Sequence, residues 1–345
     1  MPKGAYANLS DLIHEMNTKN AKDKIVELIY NAYENLKDGN EEPALSFLKE
    51  ALKIDFEHQE VLYALKCLNW WLEKIQHLDD LDDPYERGLY ILSQWESYYR
   101  FLDRIGEFWL LHNEASDSCQ YAIKRFVFCK ALYFFVSLLK DGQNQQDPLL
   151  LLQTGRCCKG AGDWEEALRY LEQASRLKRD DSAILSELAD VNALLDETRA
   201  AKVLFREAFY IDPQGVDLWG LESELIKDLR DKVLGLGYSV NEIAEWIPVW
   251  GSIWGVFSVK RELKPVEVGR LKQSIIALEN EYRSQSAGPK TEPGKQIKPR
   301  LLNHYFWLVD HCEYNRKTSG LQELIDETML KIKFVDPVIH DSYRM

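Results

Sequence analysis

Apolar side chains recur every three or four residues along most of the chain, which is the spacing of one face of an α-helix. Ile91, Trp95, Tyr98 and Leu102 follow this spacing within one long segment. No segment has β-branched residues at alternating positions, as a half-buried strand would. The pattern therefore predicts an all-α protein, with helices at 8–17, 22–37, 41–53, 58–77, 84–112, 117–140, 147–160, 164–178, 182–195, 198–210, 216–234, 240–260, 265–285, 301–315 and 320–334.

Two copies of one helical pattern follow each other directly in the sequence. Ala167 and Ala174 of the first copy correspond to Ala201 and Ala208 of the second, and a large apolar residue lies between the two alanines of each copy. Small residues at such positions let two helices approach closely, and large residues fill the space between successive helix pairs. The spacing predicts two consecutive helix pairs.

This pattern resembles the tetratricopeptide repeat, a helix-turn-helix unit whose length matches the interval from Ala167 to Ala201. The resemblance is closest over 148–181 and 182–215, and it extends to 25–58, where Ala44 and Ala51 stand in register. The resemblance implies an α-α superhelix, a solenoid of antiparallel helix pairs. The central helices depart from the repeat spacing, so we expect them to be irregular members of the array.

The pattern divides the chain into six predicted segments. Tryptophan, proline and glycine mark the later boundaries, because a Trp-rich stretch is followed by one rich in Pro, Gly and basic residues. The segments are N-terminal helices with one degenerate repeat at 1–60, long aromatic-rich helices at 61–146, two repeats at 147–215, a Trp-rich helical region at 216–285, a flexible linker at 286–300, and a C-terminal helix pair with a further degenerate repeat at 301–345.

Composition narrows the classes of partner. The 345 residues include 43 Lys and Arg and 56 Asp and Glu, for a net charge of −13. This balance disfavours nucleic acid and anionic lipid, which both require basic surfaces. The longest apolar run, 247–259, is shorter than the roughly 20 residues of a spanning helix. We expect a cytoplasmic protein with no transmembrane segment. Peripheral contact with a membrane complex is compatible with this expectation.

The resemblance also suggests a binding groove. Members of this family usually bind ligands through first-helix residues of the concave face, which correspond here to Leu152, Arg156, Lys159, Ser186, Asp190 and Ala193. Arg156 and Lys159 would pair with acids of a protein or peptide partner, beside Asp190. Leu152 and Asp190 stand where the family's carboxylate clamp has polar or basic groups, so we do not expect chaperone tails as ligands. The alternative is a solvated helix face with no special role.

A second candidate surface is rich in tryptophan. Trp246, Trp250, Trp254 and Phe257 would form one stripe if 240–260 were a continuous helix. Exposed tryptophan is favoured as an anchor at protein interfaces, so Trp250 and Trp254 would contact a partner. The alternative is that the stripe belongs to the core between the repeats and the C-terminal helices.

Candidate sites for metals and catalysis are weak. His304 and His311 are two helical turns apart, which is a long reach for one ion, and the acidic segment 77–83 lacks the glycine and glutamate of a calcium loop. The chain contains no nucleotide-binding, nucleophile-elbow or zinc-protease motif. We therefore expect no catalytic, metal or cofactor site, and no cofactor.

These observations favour a non-catalytic scaffold or adaptor, which binds a partner segment through a repeat-type concave groove or an aromatic surface. The first alternative is a structural subunit of a large assembly, such as a bacterial motor or a membrane-associated machine. Its support is the abundance of aromatic residues, since subunits bury aromatic surface against their neighbours. The second alternative is an enzyme whose active site is assembled from scattered residues on helices.

Overall fold

The structure, a computed structural model, describes residues 4–106, 114–140, 146–259, 262–286, 296–315 and 320–344. Within these ranges it contains fifteen α-helices, two short 3₁₀ turns and no strand, so the predicted all-α fold class is confirmed. Of the predicted flexible linker at 286–300, residues 287–295 lie outside the described residues, and 297–300 form the start of a helix, so the prediction is wrong for these last residues. The helices are α1 (Gly4–Lys37), α2 (Glu41–Ile54), α3 (Gln59–Gln76), α4 (Pro84–Gly106), α5 (Glu114–Lys140), α6 (Pro148–Ala161), α7 (Trp164–Leu177), α8 (Ser182–Leu194), α9 (Thr198–Ile211), α10 (Glu224–Leu234), α11 (Val240–Ile253), α12 (Pro265–Ser286), α13 (Ile297–Tyr314), α14 (Leu321–Val335) and α15 (Pro337–Arg344).

The chain forms two compact units, unit 1 at Met1–Ala167 and unit 2 at Leu168–Met345. In unit 1, α1 packs on α2, and α5 packs on both α4 and α6. In unit 2, α8 packs on α9, and α13 packs on both α12 and α14. Packing between helices that follow each other in sequence is the arrangement of a helical-repeat protein. The boundary between the units falls within α7, inside the segment predicted at 147–215.

The small residues of the repeat pattern lie at the contacts between helices. Ala201 and Ala208 of α9 are fully buried, and so is Phe205 between them. Ala44 and Ala51 of α2 are buried to the same degree. A methyl group at these positions lets the paired helix approach, and the intervening large residue fills the adjoining space.

The turn inside each repeat uses the same backbone conformation. Gly39, Gly162 and Asp196 precede the first alanine of their repeat by the same interval. All three have positive φ angles, of 81°, 85° and 63° respectively. Residues in this left-handed region end helices, and glycine adopts it without the steric cost that a Cβ atom brings. The three repeats therefore share a turn as well as a pattern of alanines.

The helix starts of the two best repeats also correspond. Asp147 accepts a hydrogen bond from the backbone N–H of Leu149 at 2.8 Å, and Asp181 accepts one from that of Ile184 at 3.0 Å. The interval between the two aspartates equals that between Ala167 and Ala201, so they occupy equivalent positions of successive repeats. Each satisfies a backbone donor that the first turn of a helix leaves without a partner.

The aromatic residues of the middle segment form much of the core of unit 1. Trp71 and Tyr98 are fully buried, with ring centroids 5.2 Å apart. Gly160 of α6 lies directly against the ring of Phe128 on α5, and a Cβ atom there would overlap that ring. A glycine thus allows α5 and α6 to pack with a large aromatic ring between them.

Several predicted helices differ from the observed ones. The segments 8–17 and 22–37 form the single helix α1, because the polar residues between them include neither glycine nor proline. The helix predicted at 216–234 begins only at Glu224, and the one predicted at 240–260 ends at Ile253. The helix α15 after Asp336 was not predicted.

Replacing Asp196 by glycine is expected to stabilise the protein by about 0.5–1 kcal/mol, because glycine adopts the positive φ angle without strain. Asp196→Val should instead destabilise it by more than about 1 kcal/mol, because a β-branched residue is disfavoured in this region. Urea unfolding followed by circular dichroism measures both changes. A destabilising Asp196→Gly substitution would contradict the shared turn.

Candidate functional site

The helix that carries the predicted tryptophan stripe ends within the stripe. Helix α11 begins at a capping box formed by Ser239 and Glu242, and it ends at Ile253. Gly255 has a φ angle of 72°, and the N–H of Phe257 donates to the carbonyl of Gly251 at 2.9 Å. The chain thus turns back on the end of α11, so Phe257 does not continue the helical stripe.

The four aromatic residues of the stripe consequently differ in exposure. Trp246 and Phe257 are buried in the core of unit 2. Trp250 is half-buried, and its indole N–H donates to the hydroxyl of Tyr238 at 3.2 Å. Trp254 is 40% exposed and stacks on Trp250, with ring centroids 5.1 Å apart and planes at 29°. The core interpretation holds for two of the four residues, and Trp254 presents an aromatic face to solvent.

A cleft of about 400 Å³ lies beside Trp254. Trp254 and Val256 form one side of it, and α10 forms the other through Leu225, Asp228, Leu229 and Lys232. These α10 residues were not predicted from the sequence. Their spacing of three and four residues indicates that they share one face of a helix, but the sequence does not show which face of α10 stays uncovered. We call this feature the Trp254 cleft.

Another exposed tryptophan in unit 2 lies away from this cleft. Trp219 is 54% exposed, and the guanidinium of Arg230 lies 4.7 Å from the centre of its ring. Arg230 is two residues from both Asp228 and Lys232, which places it on the opposite side of α10 from them. Trp219 therefore serves as a matched control for Trp254.

Asp190, predicted from the sequence to bind a partner, is completely buried. Its carboxylate accepts hydrogen bonds from the backbone N–H groups of Glu222 at 2.7 Å and Ser223 at 2.8 Å. These two residues directly precede α10, so a side chain of α8 holds the start of that helix. The position of α10, and with it one wall of the Trp254 cleft, depends on this carboxylate.

The other predicted groove residues are mostly buried as well. In unit 1, Arg156 is partly exposed, whereas Lys159 is only 3% exposed and Leu152 is buried. In unit 2, Ser186 is buried and its hydroxyl donates to the carbonyl of Ala183 at 3.1 Å. Of the five residues predicted to bind a partner, Trp250 and Trp254 are brought together, as a stacked pair. These five are Arg156, Lys159, Asp190, Trp250 and Trp254.

The two histidines considered as metal ligands lie in different surroundings. The Nδ1 atom of His304 lies 2.8 Å from the carbonyl oxygen of Arg300, to which a neutral ring donates its proton. Burial lowers the pKa of His304 to about 4, and burial also lowers the pKa of His311. Among the residues that the structure describes, no three metal-binding side chains gather in one place.

A scan against protein-family models finds no match for this chain, and a search of curated proteins finds no match either. In the described part of the chain, every helix is too short or too polar to cross a lipid bilayer. The function must therefore be inferred from the fold and from the surfaces described above.

Asp190→Ala is expected to lower the free energy of unfolding by about 3 kcal/mol, because two N–H groups before α10 lose a charged acceptor. The matched control is Asp231→Ala, which removes an exposed carboxylate of α10 whose contact is with its neighbour Arg230 and which should change stability by less than about 0.5 kcal/mol. Urea unfolding measures both. Equal effects of the two substitutions would contradict the role of Asp190.

His304 predicts a pH dependence of stability. Its pKa is about 4 in the folded protein and near 6.5 when unfolded, so between these values only the unfolded state binds the proton. Stability should therefore fall as the pH decreases from about 6.5 to 4, by up to about 3 kcal/mol from this residue. In His304→Phe, unfolding free energies measured across this range should decline less. Parallel curves for the variant and the wild type would refute the assignment.

Proposed function

We propose that this protein is a non-catalytic scaffold or adaptor of the tetratricopeptide-repeat type, which binds a segment of another protein in the cytoplasm. Support for the repeat type comes from three features that recur at one interval between the repeats at 148–181 and 182–215. These are the buried alanines of the repeats, the left-handed turn residues, and the aspartate N-caps at equivalent positions. Proteins built from such helix pairs commonly act by presenting extended surfaces to other proteins.

The observation that carries the proposal is the exposed face of Trp254. A tryptophan that is 40% exposed leaves apolar surface in water that a partner would cover. Stacking on Trp250, which Tyr238 holds by a hydrogen bond, limits the motion of the ring before binding. Less conformational entropy is then lost on association, and tryptophan in such settings is often an energetic anchor of an interface.

The Trp254 cleft suggests how a partner would bind. Leu225 and Leu229 give it apolar surface, and Asp228 and Lys232 supply one charge of each sign. An apolar side chain on a helix or an extended segment would enter the cleft beside Trp254, while polar groups of the partner meet the two charges. This is the arrangement in which an amphipathic helix binds in a groove.

One observation favours a second candidate, a structural subunit of a larger assembly. Leu330 and Phe334 lie four residues apart on α14, Val338 lies on α15, and all three are largely exposed, Phe334 to 86%. Exposed large apolar side chains of this kind are typical of a surface that a neighbouring subunit covers. In that case the scaffold would act as a fixed part of the assembly.

Trp254→Ala is expected to reduce recovery of specific partners from native cell lysate at least about tenfold, because removal of an interface anchor commonly costs about 2 kcal/mol or more. The measurement is affinity capture with quantitative mass spectrometry, in which Trp254→Ala and a control variant are each compared with the wild type. Trp219→Ala is the control, since it removes a tryptophan of comparable exposure from the other side of α10.

Loss of the same partners in both variants would indicate a general effect on unit 2 and would refute the assignment to the cleft. Unchanged recovery with Trp254→Ala would refute the proposed surface. Circular dichroism of each variant shows whether the helices are retained.

A further inference from the structure

A second groove in unit 2 is formed by α9, α12 and α13. It consists of two cavities of about 420 Å³ and about 450 Å³. Tyr210, Ile211 and Arg270 line both cavities, so the two adjoin at these residues. None of the residues lining this groove also lines the Trp254 cleft.

The first cavity combines apolar walls with donors of hydrogen bonds. Ile211 and Leu278 contribute apolar surface, and Arg270, Ser274 and Asn303 contribute polar groups. No carboxylate is among the residues that line this cavity in the described part of the chain. A concave apolar site with a few convergent polar groups is the usual form of a binding pocket.

Arg300 also lines the first cavity, but its guanidinium is already engaged. Its Nε donates to both carboxylate oxygens of Glu245 at 2.9 Å, and its Nη2 donates to Glu245 at 2.7 Å and to Asp212 at 3.4 Å. Glu245 is fully buried, so this pair is a fixed part of the fold. Arg300 therefore shapes the cavity wall and has little capacity for a further anion.

Arg270 differs from Arg300 in this respect. Its side chain is exposed at the junction of the two cavities. In the described ranges no carboxylate forms an ion pair with it. A guanidinium forms its strongest hydrogen bonds with a carboxylate, which it can bind through two parallel N–H groups. Arg270 is thus the cation of this cavity that is available to an external acid.

The second cavity carries both signs of charge. Arg179 and Lys264 line it together with Asp180, Glu207 and Glu267. Trp307 also lines this cavity and lies 4.8 Å from the ring of Tyr210. Carboxylates thus line the second cavity and not the first, and the second cavity adds a region of mixed polarity.

We propose that the first cavity binds an acidic side chain of a partner peptide, with its carboxylate on Arg270 and a neighbouring large apolar residue against Tyr210 and Ile211. The proposal rests on the proposed scaffold function, since it gives the chemistry of a segment that such a scaffold would hold. Two adjoining cavities favour a peptide, whose following residues would occupy the second cavity. The complementary charges of Arg270 and the partner carboxylate define the register.

The test uses the full chain and three fluorescently labelled peptides of equal length. One consists of Glu-Leu-Ser repeats, and in the other two glutamine or lysine replaces glutamate. Fluorescence polarisation should show binding of the acidic peptide, at least about tenfold weaker binding of the glutamine peptide, and weaker binding still of the lysine peptide, because a charged pair is lost or reversed.

Arg270→Ala should weaken binding of the acidic peptide at least about tenfold. Arg199→Ala is the control, because Arg199 is an exposed arginine of α9 that lines neither cavity. Equal affinities of the acidic and glutamine peptides, equal effects of the two arginine variants, or no binding of the acidic peptide would each overturn the proposal.

The same assay separates this inference from the proposed function. Trp254→Ala should leave binding of the acidic peptide unchanged, because Trp254 lines a different cavity. Peptide binding that survives while Trp254→Ala loses no cellular partner would leave this inference standing and refute the Trp254 surface. Partner loss with Trp254→Ala, together with absent peptide binding, would refute this inference alone.

Discussion

Close approach of paired helices at alanine and glycine is the constraint on which the rest of the structure depends. Ala201 and Ala208 allow α9 to lie against α8, and Gly160 allows α6 to lie against the Phe128 ring of α5. Larger residues at these positions would force the helices apart, and a close-packed interior does not absorb such changes without strain. The positions of the functional side chains follow from these contacts.

In unit 2 the consequences can be followed from helix to helix. The pairing of α8 with α9 sets the position of Asp190, whose buried carboxylate holds the two residues before α10. Helix α10 in turn forms one wall of the Trp254 cleft. The far end of α9 carries Tyr210 and Ile211, which line the groove that contains Arg270. One packing arrangement thus supports both candidate binding surfaces.

Periodicity was sufficient to predict most of the helices and the repeat pattern, because both depend on local spacing. The exposure of the tryptophans depends on a backbone event that periodicity does not encode. Gly255 adopts a left-handed conformation, the chain turns back, and Phe257 becomes buried while Trp254 remains exposed. The glycine was visible in the sequence, but many glycines lie within helices, so its presence alone did not locate the end of α11.

Charged residues were the hardest to interpret from sequence. Asp190 lies on a helix position that binds ligands in the repeat family that the sequence resembles, yet here it accepts two backbone hydrogen bonds from its own chain. Arg300 and Arg270 are both arginines of the C-terminal helices. Only the structure shows that the guanidinium of Arg300 is already hydrogen-bonded to Glu245. To assign such a residue, one must know which group of the same chain it contacts, and that group is distant in sequence.

Site-specific photo-cross-linking tests the central claim most directly. A photoreactive phenylalanine analogue replaces Trp254 in one protein and Trp219 in another, and each is irradiated in native lysate before mass spectrometry. We predict that one protein, through one short segment, becomes linked at position 254 and that this adduct is absent at position 219. No adduct at position 254, or the same adducts at both positions, would contradict the claim that the Trp254 cleft holds a partner segment.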